Sequence, residues 1–189
     1  MVTMNSMRSL SRLLGAILCL GAGCRDSQPP PEDENHRAGV LPAGLFLAAP
    51  PPAARDVREV KRDPRDGDAV VIRGRVGGGK HPFVPGRAVF LLSDLSLRPC
   101  SANPDDRCPT PWDYCCEPPD RIAARTIAVE VVDAGGRPLA VGLEGVGSLR
   151  ASAEVVVRGR VSVGPAQTAV IRAEGIHVGA VSETASGSP

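Results

Sequence analysis

Four cysteines, Cys100, Cys108, Cys115 and Cys116, fall within 17 residues of an otherwise polar, proline-rich stretch. Thiols at this density do one of two things. They cross-link the segment, each disulfide contributing about 2–4 kcal/mol by limiting the unfolded chain. Or they hold a metal, four thiolates making a tetrahedral set for zinc or for soft copper(I). The spacing leaves both open. Cys115 and Cys116 are adjacent, and no Cys-x-x-Cys knuckle of a zinc ribbon or redox helix is present. A vicinal pair joined to itself closes a strained ring. In the disulfide reading, Cys115 and Cys116 therefore reach back to Cys100 and Cys108, in either connectivity.

A second group of side chains suits a charged ligand. Val70-Val71-Ile72-Arg73-Gly74-Arg75-Val76 recurs as Val155-Val156-Val157-Arg158-Gly159-Arg160-Val161. If the two segments are neighbouring strands, Arg73, Arg75, Arg158 and Arg160 share one face and can grip carboxylates or phosphates bidentately. The competing reading is a solvated face paired with acids such as Glu130, Glu154 and Glu174. Trp112 and Tyr114, beside the cysteines, offer a small aromatic contact surface, or a core for the cysteine-rich segment itself. Gly74 to His81 nearly spells a phosphate-binding loop, but His81 replaces the hydroxyl that would hold magnesium, and Pro82 and Pro85 forbid the helix that should follow. A glycine-rich hairpin is the expectation. His36, His81 and His177 accompany no nucleophile or metal motif, and the aspartates read as turn residues. No catalytic set emerges, so the sequence points to a binding or structural module and not to an enzyme.

The first 24 residues address location. Arg8 and Arg12 precede the apolar run Leu13–Leu20, and Gly21-Ala22-Gly23 precede Cys24. A basic start, an apolar run and small residues before a cut site make an export signal over 1–23. The run is shorter than the ~20 residues a spanning helix needs. A cysteine directly after the small residues resembles the lipobox of bacterial lipoproteins, which implies that Cys24 is acylated and anchors the chain to a membrane outside the cytoplasm. Gly21 stands where that family usually has leucine, with Leu20 one step back. Met1, Met4 and Met7 each offer a start. In an exported chain an even, clustered set of cysteines is read first as disulfides, with zinc or copper as the alternative and no other cofactor expected.

These groups must be carried by something folded. Residues 24–53, with two proline clusters and few apolar side chains, read as a flexible tether, within which Leu45-Phe46-Leu47 can dock weakly. Residues 54–63 allow one or two helical turns. From 68 onward the pattern changes to β-branched runs bounded by Gly, Pro or Asp, at 68–76, 87–93, 127–133, 154–162 and 168–177. Residues 182–189 read as a frayed tail. The expected fold is all-β over 54–181, with a cysteine-rich insert at 94–124 between the second and third strands. Five short strands, Gly74 and Val76 in the first and Phe90-Leu91-Leu92 with Asp94 in the second, resemble the opening of OB-fold barrels. The lipobox, spacer, OB-like strands and Thr110-Pro-Trp-Asp-Tyr-Cys-Cys116 together also resemble a group of uncharacterised bacterial lipoproteins, a likeness that implies no activity.

Charge argues against some partners and leaves a nucleic-acid-binding OB domain as the third reading, behind a binding or structural module and a metal-binding protein. Without residues 1–23 the chain carries 20 basic and 21 acidic side chains, and only five aromatic residues. Nucleic-acid binders usually show a basic surface, which this balance does not supply. The expected partners are a membrane, through the lipid, and a protein of the cell envelope.

Overall fold

The first long strand shows how the barrel is built. In Ala69–Val76, Val70, Ile72, Gly74 and Val76 are buried while Ala69 and Arg73 are exposed, the two-residue alternation of a half-buried strand. The computed structural model describes residues 39–105 and 107–179, and all statements below concern these. Six strands form one sheet: β1 (Arg55–Asp56), β2 (Ala69–Val76), β3 (Val89–Ser93), β4 (Thr126–Glu130), β5 (Glu154–Val163) and β6 (Ala169–Val178). Their order is β1-β2-β3-β4-β6-β5, and a further pairing of β2 with β5 closes the last five into a barrel. β4 runs parallel to β6, and the other barrel pairings are antiparallel. The expected five-stranded OB-like barrel is present, each strand within a few residues of its expected position.

The barrel closes because β2 changes partner along its length. Ala69 to Arg75 pair with β5, and only Arg75 and Val76 pair with β3. Gly74 and Gly159 mark the tight points on the inward face. A Cβ on Gly74 would lie 2.5 Å from the Ser93 carbonyl oxygen, and one on Gly159 would strike the Arg172 carbonyl. Gly159 also sits at a register shift between β5 and β6, the extra bend that such a shift supplies. Ile72, Phe90, Leu92, Val129, Val157 and Ile171 fill the interior. Leu143 and Leu149, on the β4–β5 connection, join that core.

Two helices are short. α1 (Val57–Arg62) buries Val57 and Val60 and begins with a capping box in which Asp56 and Glu59 satisfy each other's backbone N–H. α2 (Pro119–Ala124) ends the cysteine-rich insert and has proline in its first turn, where the missing N–H costs nothing. Lys61 ties the two together, its ammonium donating to the carbonyls of Ala123 and Thr126. Among the described residues no helix is long and apolar enough to cross a membrane.

Within the expected tether, Leu45-Phe46-Leu47 dock as expected, and more firmly than weakly. Leu45 is buried in the main core. Leu47 N–H donates to the Ile176 carbonyl at 2.8 Å and Ile176 N–H donates to that of Leu45 at 2.7 Å, so residues 45–47 extend the sheet beside β6. The signal segment 1–23, Cys24, the tether as far as residue 38, and the tail 182–189 lie outside the described residues.

Candidate metal centre

The insert between β3 and β4 is tied to the barrel at its start. Asp94 is buried, and its carboxylate accepts from the Ser96 N–H at 3.0 Å, the Ser96 hydroxyl, and the Arg58 N–H of α1 at 2.9 Å. Burial alone would raise its pKa. The bonds from Ser96 and Arg58, with the Arg58 charge, outweigh that and hold it below the usual carboxylate range. Further on, the insert doubles back. Cys100 N–H donates to the Asp113 carbonyl at 2.8 Å and Ser101 N–H to that of Pro111 at 2.9 Å, which brings residue 100 alongside the Trp112–Cys116 run. At the far end Glu117 accepts from the Arg98 N–H at 3.2 Å and pairs with Arg121 of α2 at 2.9 Å.

Tyr114 anchors the doubled segment. Its side chain is fully buried against Gly77, where a Cβ would come within 2.9 Å of the ring, and its hydroxyl faces Arg75 and Ser93. Trp112 reaches the β2–β3 hairpin instead, its indole N–H donating to the Lys80 carbonyl at 3.1 Å. Leu97, Cys100 and Tyr114 are buried but stand outside the main core, so the insert has a small apolar centre of its own.

This arrangement converges the thiols. The sulfurs of Cys100, Cys115 and Cys116 all lie within 4.8 Å of one another, and those of Cys100 and Cys115 are 3.3 Å apart. A tetrahedral zinc with ~2.3 Å bonds to sulfur sets its ligand sulfurs about 3.8 Å apart, inside that spread. Cys108 interacts with the thiols of both Cys100 and Cys115 and also meets the Thr110 hydroxyl at 3.3 Å. The environments differ. Burial, reinforced by the Cys115 thiol, pushes Cys100 up to about 12, whereas the Thr110 hydroxyl and carbonyl draw Cys108 down. The two disulfides expected of the insert are not formed: no S–S bond joins these cysteines. What the cluster offers is a set of thiols that can bind a metal.

The other sequence candidates lie elsewhere. β2 and β5 are neighbours, with Val71 opposite Arg158 and Arg73 opposite Val156, so the four arginines do share the outer face. Three of them meet acids: Arg73 with Asp56 at 2.7 Å, Arg75 with Glu154 at 2.7 Å and Arg160 with Glu174 at 3.3 Å. Asp56 was not legible as a partner, because only the parallel pairing of β1 with β2 sets it opposite Arg73. His81 is exposed on the β2–β3 hairpin and is not one of the converging ligands. His177 bonds the Leu47 carbonyl at 3.1 Å. The glycine-rich stretch turns a hairpin, with Leu91 N–H donating to the Pro82 carbonyl at 2.7 Å. The role of Thr110 beside Cys108 was missed, although a threonine held between Pro109 and Pro111 was the signal for a rigid turn at that point.

Comparison of the chain with known protein families, curated proteins and solved structures finds no match.

Proposed function

We propose that this protein is a thiolate metal-binding module, taking zinc or copper(I) through Cys100, Cys115 and Cys116, with Cys108 as the fourth donor. The observation that carries this reading is the convergence of three sulfurs, from two separate stretches of the insert, within 4.8 Å of one another. Sulfur suits these metals, and binding releases the thiol protons, the buried one on Cys100 included. The lipobox-like sequence at Cys24 supports an extracytoplasmic site held to a membrane by acylation, and a thiol site there is suited to sequestering or handing on a metal ion. Pairing of three surface arginines with acids argues against a nucleic-acid role.

Native intact mass tests this on residues 24–189, purified without reductant or chelator. The expected mass is raised by one metal ion, lost on chelation with release of alkylatable thiols, and absent from Cys100→Ser or Cys115→Ser. A mass lowered by four hydrogens, with no thiol to alkylate, would mean two disulfides and a structural insert. The anchor is tested separately: the full chain should partition with membranes and Cys24→Ser should not.

A further inference from the structure

A second site lies away from the thiols. The β2–β3 hairpin and the β4–β5 connection part to leave a cleft of about 960 Å³. That is the upper end of the ~300–1,000 Å³ typical of small-molecule sites. Its walls are largely apolar, with Phe83 and Val84 from the hairpin, Leu143 from the connection and Trp112 from the insert. Val84 is one of only two exposed large hydrophobic residues described, the other being Val40. The indole of Trp112 is fixed by its bond to the Lys80 carbonyl, which presents a rigid aromatic wall.

The charges around this apolar pocket are unequal. Lys80 and Arg150 both line it and neither forms an ion pair; the Arg150 guanidinium reaches only the Ser148 carbonyl, at 3.4 Å. Glu144 is the single acid among the lining residues, and His81 also lines the cleft. This contrasts with the β2–β5 face, where the arginines are matched by acids. We propose that the cleft binds a small organic anion with an apolar body, the body lying against Trp112, Phe83 and Val84 and the anionic group pairing with Lys80 and Arg150. The assignment is independent of the thiol site.

The probe is 1-anilinonaphthalene-8-sulfonate, titrated into chelator-treated residues 24–189, with its neutral counterpart N-phenyl-1-naphthylamine for comparison. Trp112 is the only tryptophan in the chain, so quenching of its emission reports occupancy directly. The sulfonate should saturate one site per chain, quench Trp112 and be displaced by decanoate but not by decanol. A charged hydrogen bond lost from Lys80→Ala or Arg150→Ala should weaken it about tenfold each. Both side chains are exposed, so thermal melting should be unchanged in these variants. Val84→Asp, which sets a negative charge on the apolar wall, should abolish binding while the fold persists. Equal affinity for the neutral probe, indifference to both cation substitutions, or binding without Trp112 quenching would each overturn the proposal.

Discussion

Asp94 shows how much one side chain can do in this fold. It accepts three hydrogen bonds, joins the start of the insert to α1, and faces the Arg58 charge. Asp94→Asn keeps the shape but turns an amide N–H₂ toward donors. A charged bond to a buried group is worth about 1.5–3 kcal/mol, so urea denaturation at neutral pH should show a loss of that order. The pH dependence has a definite sign. Folding lowers this carboxyl, so its contribution is complete above the unfolded value near 3.9 and is lost as pH falls through the lower, folded value. The gap between wild type and Asp94→Asn should therefore narrow as pH drops below about 4. A gap that stayed constant to pH 2 would show that the effect is packing and not charge. The sequence marked Asp94 as a turn residue, which it is. Its bond to the Arg58 N–H joins residues 36 apart in the chain, and no local pattern announces that.

Elements divide by how local their causes are. The strands were legible because alternation and β-branching act within a few residues, and α1 falls inside the 54–63 stretch that allows one or two helical turns. The segment at 45–47 was legible only as a weak docking point. Prolines and polar residues around it match a tether, and its docking depends on a vacancy in a distant strand. β4 covers β6 only along Val170 to Arg172, which leaves the edge near Ile176 open for Phe46 and its neighbours. An uncovered edge is an aggregation hazard that a docked segment removes. Leu45→Ala deletes a buried side chain from the main core and should cost about 2–5 kcal/mol in chemical denaturation. A chain beginning at residue 54 should be destabilised by at least as much, and should self-associate through the exposed β6 edge in analytical ultracentrifugation. If truncation at 54 left both midpoint and mass unchanged, the docking would be incidental. Partner choice at the insert escaped sequence for a similar reason: the cysteines and their density were plain, but which sulfurs meet depends on the doubling back at Cys100 and Asp113.

Among the described residues, a closed barrel carries an insert whose buried residues lie outside the main core, and that division predicts how metal and stability should couple. The main core draws no residue from the insert, whose buried Leu97, Cys100 and Tyr114 stand outside it. The insert, by contrast, depends on its ties to the barrel, of which the Tyr114 ring is the most deeply buried. A ligand bound only by the ordered state stabilises that state by mass action. Metal should therefore protect the insert far more than the barrel. In hydrogen exchange, the amides of Cys100 and Ser101, both bonded across the doubled segment, should slow on zinc loading, while those of β2 and β5 should not change. Tyr114→Ala removes the anchor and leaves all four cysteines in place. Replacing a buried aromatic by alanine typically costs about 3–5 kcal/mol, here drawn mainly from ordering the insert. Zinc affinity should fall by two orders of magnitude or more, while the barrel amides keep their protection. Tyr114→Phe, which keeps the ring, should bind almost as wild type. Were Tyr114→Ala to bind metal normally, the thiols would be organising themselves, and the barrel would serve the insert as a carrier and not as a template.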